Sequence, residues 1–169
     1  MRKIDIAVYD NFVSPTYLKA IQEATDPAKT PWYFQGSQSL TDYADELIED
    51  FGFSIGILPP WQPDKFDIAK ADHVLRCRLD MTVLHDRYIH PPHIDVPQKH
   101  IASIVYVNDS DGDTVIYDHK QEWAKSYPQS MPIKQRIAPK AGRMVLFDGS
   151  YVHTGHSPSE HQTRILINT

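Results

Sequence analysis

From Val74 onward the chain changes its period. Leu75, Cys77, Leu79, Met81 and Val83 alternate with Arg76, Arg78, Asp80 and Thr82, the pattern of a β-strand that buries one face. Turn-punctuated stretches of similar kind follow at 93–96, 101–107, 114–118, 135–138, 144–147, 151–153 and 163–168. That makes about eight short strands, with 13 prolines in the 169-residue chain to break and edge them. The expected class is therefore mainly β, a sandwich or jelly roll, and not a helical bundle.

Ahead of these strands the period is helical. A short strand at 4–9 leads to Ser14-Pro15, an N-cap followed by proline at the first helical position. The helix that follows extends to about Thr25, with Tyr17, Leu18, Ile21 and Ala24 as its apolar stripe. A second helix is expected at 41–51, where Tyr43, Ala44, Leu47, Ile48 and Phe51 recur at helical spacing and Gly52 supplies the stop. The chain thus reads as a single domain, 1–169. Residues 1–73 form a helical support region, with two N-terminal helices packed outside the sheet, and 74–169 form the jelly-roll core.

Composition narrows the partners. A net charge of −5 argues against nucleic acid, which demands a basic footprint. No apolar run approaches the ~20 residues of a membrane span, and no apolar stretch precedes Asp10 and Asn11 as in a signal peptide. A cytoplasmic protein without a membrane partner is expected. The single cysteine, Cys77, has no internal disulfide partner and reads as a core thiol. Residues 108–113 resemble a calcium loop only superficially. Counted from Asp109, glycine falls at position four and Lys120 at position twelve, so an EF-hand is rejected in favour of a hairpin turn. The longer polar stretch 119–134, carrying Trp123, Tyr127 and Met131, reads as a substrate-facing loop.

The chemistry concentrates at His93-Ile94-Asp95. One spacer places two ligand side chains on one face of a strand, and His153 from a distant strand would add a second imidazole. Two imidazoles and one carboxylate leave coordination positions open, which suits a non-haem ferrous ion better than a closed structural zinc site. His156 competes with His153. Alternation puts the two on opposite faces, and Gly155 and Pro158 suggest that the strand is ending by His156, which favours His153. His90 and His100 flank the motif as supporting or exposed residues. Arg164 shares a strand face with Leu166 and Asn168. If that face is interior, its guanidinium needs an anion, and a carboxylate could accept its two-pronged hydrogen bond. Tyr106 shares a face with Ala102 and Ile104, where a buried hydroxyl would also need a partner.

Taken in order, His93-Ile94-Asp95, Tyr106-Val107-Asn108, Asp111-Gly112-Asp113-Thr114, Gly142 to Asp148, His153 and Arg164 resemble the 2-oxoglutarate and Fe(II)-dependent dioxygenases. The likeness is to the prolyl-4-hydroxylase-like branch with its small phage-type members, and it covers about 74–169. The resemblance implies a double-stranded β-helix, with His93, Asp95 and His153 holding Fe(II). It also implies that the far carboxylate of 2-oxoglutarate meets Arg164 and Tyr106. The implied activity is hydroxylation of a peptide, prolyl peptides included, or of a small molecule, with O2 consumed and succinate and CO2 released. Where many members carry a hydroxyl-bearing residue shortly after the arginine, this chain has Leu166 and Asn168. Two other functions fit the same residues: a cupin-like metalloenzyme that does not use 2-oxoglutarate, and a non-catalytic jelly-roll binding module.

Overall fold

A computed structural model describes residues 4–35, 52–56, 74–86, 88–120, 127–128 and 130–169. The strands are β1 (Ile6–Tyr9), β2 (Tyr33–Gln35), β3 (Gly52–Gly56), β4 (Arg78–Val83), β5 (Ile101–Tyr106), β6 (Thr114–Lys120), β7 (Ile133–Ile137), β8 (Met144–Asp148), β9 (Tyr151–Gly155) and β10 (Thr163–Asn168). They form a seven-stranded sheet, in the order β1-β8-β5-β10-β4-β3-β2, and a three-stranded sheet, β7-β6-β9. All pairings are antiparallel. The mainly β jelly roll expected from the alternation is what the chain adopts.

The helix α1 (Pro15–Ala24) starts where the sequence says it should. Ser14 caps it, its side chain accepting from the Tyr17 backbone N–H, and Pro15 fills the first turn. Its Ile21 packs on Leu79, Met81, Val107 and Ile165, so the helix lies on the outer face of the larger sheet. Gln22 pins it there, donating from Nε2 to the Val107 carbonyl at 2.8 Å. The second expected helix, 41–51, lies outside the described residues.

Two expectations change. Residues 93–96 are not a strand: His93 makes only an isolated antiparallel bridge to His153. The prolines at 91 and 92 just before it, and Pro97 just after, remove the N–H groups a longer ladder would need. β4, read as half-buried, is buried on both faces. Leu79 and Met81 meet the α1 layer, while Arg78, Asp80 and Thr82 face a cleft between the sheets.

The core between the sheets is built from alternating residues: Ala102, Ile104 and Tyr106 of β5, Ile116 of β6, Val145 and Phe147 of β8, Leu166 of β10. Phe147 is fully buried and its ring stands edge-on to His153, with centroids 4.9 Å apart. Phe147→Ala should therefore cost about 3–5 kcal/mol of stability. Urea denaturation followed by circular dichroism measures this, and Phe147→Leu should lose markedly less.

Candidate metal and cosubstrate site

His93, Asp95 and His153 converge, with ligand-capable atoms all within 4.8 Å of one another. The convergence is a backbone event first. His93 and His153 exchange N–H···O bonds of 2.9 Å in both directions, and β6 pairs with β9 on its other side, Ile116 opposite His153. The two imidazole rings lie 4.7 Å apart. Each ring's Nδ1 lies 3.0 Å from a backbone carbonyl, that of Pro91 for His93 and that of Tyr151 for His153. Those bonds fix the tautomer with the proton on Nδ1, so that Nε2 of each ring presents a lone pair to the centre.

The carboxylate is shared out by oxygen. Asp95 Oδ2 lies 3.4 Å from His153 Nε2, while Oδ1 accepts a hydrogen bond from the Arg76 guanidinium. Burial pushes the Asp95 carboxyl up, but when the imidazoles are protonated the bond and charge of His153, together with the charges of Arg76 and His93, hold it well below the usual carboxylate range. Tyr127, from the connection between β6 and β7, accepts at its hydroxyl from the Ile94 N–H at 3.3 Å. The stretch expected to face the substrate thus reaches the turn between the two ligand candidates; residues 121–126 and 129 of it lie outside the described residues.

Arg164 lines the same cleft as His93 and His153, only 5% exposed. Its Nη2 donates to Thr114 Oγ1 at 2.6 Å, and the Tyr106 hydroxyl donates to the same oxygen at 2.6 Å. Thr114 accepts twice, so its own O–H remains to donate into the cleft. Arg164 Nε is buried without a partner. Burial lowers the Arg164 pKa and raises that of Tyr106, so both groups sit in a poorly solvated place where an anion would be welcome. Glycines make the burial possible. A Cβ at Gly155 would come within 3.1 Å of Arg164 Nη1, and one at Gly112 within 3.0 Å of its Cδ.

The structure brings His93, Asp95 and His153 together, and places Arg164 in the adjoining cleft with Tyr106 joined to it through Thr114. His156 is held apart, bridged to Ile89, with its N–H donated to the Asp113 carbonyl at 2.9 Å. Sequence reasoning gave no role to Arg76, to Thr114, or to Arg78, Asp80 and Thr82 on the cleft face of β4. A signal existed for the last three. Register places Thr82 opposite Arg164 and Asp80 opposite Leu166, so any argument that β10 faces inward applies equally to β4.

A two-sheet sandwich that brings two imidazoles and a carboxylate together, with a buried arginine in the adjoining cleft, is the architecture of a mononuclear metal site with open coordination positions. The chain belongs to the 2OG-Fe(II) oxygenase superfamily, whose family model matches residues 79–169. It is a 2-oxoglutarate- and Fe(II)-dependent oxygenase. The fold is that of a Pseudomonas putida prolyl-4-hydroxylase (TM-score 0.65, 13% identity, covering 98% of this chain and 91% of that one). It is also that of the non-heme alpha ketoglutarate dependent carbocyclase SnoK from nogalamycin biosynthesis (TM-score 0.64, 10% identity, 99% and 79% coverage). HygX from Streptomyces hygroscopicus, solved with nickel, 2-oxoglutarate and hygromycin B bound, is similar at TM-score 0.58, 11% identity, 98% and 82% coverage. No curated protein matches the chain. Among the described residues no helix is long and apolar enough to cross a membrane.

Thr114 is the joint on which the arginine and tyrosine depend. Thr114→Val keeps the shape but leaves two buried donors unmet, each costing about 1–3 kcal/mol. Chemical denaturation should show that loss, and Thr114→Ser should recover most of it.

Proposed function

We propose that His93, Asp95 and His153 hold the ferrous ion, and that Arg164 and Tyr106 receive the far carboxylate of 2-oxoglutarate. The substrate in this reading is a peptide, prolyl peptides included, or a small molecule, hydroxylated within a single catalytic domain as 2-oxoglutarate yields succinate and CO2. One observation carries the reading: three ligand-capable atoms lie within 4.8 Å of one another, and the two histidines among their residues line the cleft that also holds a buried arginine whose Nε has no partner.

The residues present fit both groups. Two Nε2 lone pairs and one carboxylate suit Fe(II) and leave room for further ligands. The orphaned Nε, together with the Thr114 O–H, suits an acid end-group that accepts several hydrogen bonds. When bound, the iron supplies the means to activate dioxygen at the expense of 2-oxoglutarate. The chain's own contribution is placement. Pro91 and Tyr151 carbonyls aim the imidazoles, and Arg76 occupies one Asp95 oxygen so that the other faces the centre. Arg164 anchors the cosubstrate by its far end and excludes water from beneath it.

Asp95→Ala removes the anionic ligand and should abolish tight Fe(II) binding, with the far-ultraviolet circular dichroism of the sheet intact. His153→Ala should do likewise, whereas His156→Ala should keep the metal; iron stoichiometry reads all three. Arg164→Ala loses charge-assisted hydrogen bonds worth ~1.5–3 kcal/mol. It should therefore weaken 2-oxoglutarate roughly ten- to a hundredfold, measured anaerobically at saturating Fe(II), without loss of iron. Arg164→Lys should recover only part, since a point charge cannot reproduce the fork.

A further inference from the structure

The wall of the cleft made by β4 and the end of β10 holds neither iron nor cosubstrate in the reading above, yet it is polar. Arg78, Asp80 and Asn168 line it, Asp80 5% and Asn168 8% exposed. Register sets Asn168 opposite Arg78 and Leu166 opposite Asp80, so the three form one patch across two strands. Arg78 Nε and Asp80 Oδ1 make an ion pair at 2.5 Å, and the patch carries no net charge from them. Asn168 Oδ1 is buried with no hydrogen-bond partner. A buried acceptor in that state is costly unless something in the cleft donates to it.

2-Oxoglutarate cannot do so. Its carboxylates and keto oxygen only accept, as does an amide oxygen. We propose that Arg78, Asp80 and Asn168 form the recognition wall for the molecule that is oxidised. That molecule is polar and presents neutral hydrogen-bond donors, hydroxyl or amide N–H, to this wall. The inference rests on the iron and cosubstrate assignment, because that assignment leaves this wall for the second substrate. An apolar substrate would cover the ion pair and the Asn168 oxygen without replacing the water it displaced, and the wall would select against it.

The test uses the full chain loaded with Ni(II), which blocks turnover, and with 2-oxoglutarate. Three probes are titrated by ligand-observed NMR: methyl β-glucopyranoside for hydroxyl donors, N-acetylprolinamide for amide donors, and tetrahydropyran as a donor-free ring of similar size. At least one donor-bearing probe should bind, tetrahydropyran should not, and Asn168→Leu should weaken that binding about tenfold. 2-Oxoglutarate affinity in Asn168→Leu should stay within twofold of wild type, which also reports that the variant is folded. Asn168→Ala, which also removes the acceptor, serves in its place if the leucine variant does not fold. The sugar and the amide arms distinguish a polyhydroxylated small molecule from a peptide. Binding of tetrahydropyran equal to that of the donors, donor binding indifferent to Asn168, or no probe binding would each overturn the proposal. So would a tenfold loss of 2-oxoglutarate affinity in Asn168→Leu, which would move the residue into the cosubstrate pocket. Failure of the iron assignment shows up separately, as retained metal in Asp95→Ala.

Discussion

Two hydrogen bonds between the backbones of His93 and His153 are the constraint on which the site depends. They join a proline-flanked segment with no strand of its own to β9, from far along the chain. Closing so long a loop costs entropy that two hydrogen bonds alone would not repay. The closure is supported from the other side: β6 holds β9 in register, and Phe147, rigid in the core, sets its ring edge against that of His153. The core thus positions the imidazole, and the imidazole's strand positions the segment that carries Asp95.

Below that point the design problem is electrostatic. A guanidinium at Arg164 that is almost wholly removed from water would be destabilising if left alone. Thr114 meets part of the cost by accepting from it, and the Tyr106 ring lies 5.8 Å from its carbon. Both partners are neutral, so the positive charge stays uncompensated by any carboxylate in hydrogen-bond contact among the described residues. The folded chain therefore keeps part of that cost, which an anion bound at Arg164 would offset. Arg76 solves the opposite problem at Asp95, giving the buried carboxylate a cation beside it.

Legibility in the sequence followed period. Strands with clear alternation, β4, β5, β8 and β10, appear at their expected places, as does α1, whose Ser14-Pro15 signal is local chemistry. The ligand candidates were legible because His-x-Asp, His153 and Arg164 come in a recognisable order. Residues 93–96 were misread as a strand because alternation cannot distinguish a ladder from one bridge between prolines. The role of Thr114 was illegible for a different reason. A threonine at the start of a strand is ordinary, and only three-dimensional placement shows that it joins Tyr106 to Arg164. Arg76 likewise precedes its strand and meets Asp95 through a fold-level contact that no spacing rule encodes.

The polar face of β4 shows why the cleft lies where it does. Strands lie about 4.8 Å apart, so seven of them span about 29 Å and three span about 10 Å. Among the described residues the smaller sheet can pack against only part of the larger one. Where it packs, over β8 and β5, alternation fills the gap with Phe147, Val145, Ile104 and Ile116. Toward β10 and β4 the apolar filling thins to Leu166, and the same alternation delivers Arg164 and Asn168 on either side of it, then Thr82, Asp80 and Arg78. β4 can turn charged residues inward because its apolar alternates, Leu79 and Met81, are buried on the opposite face under α1. The helix thus contributes to the site without touching it: by covering one face of β4, it lets the other be spent on recognition.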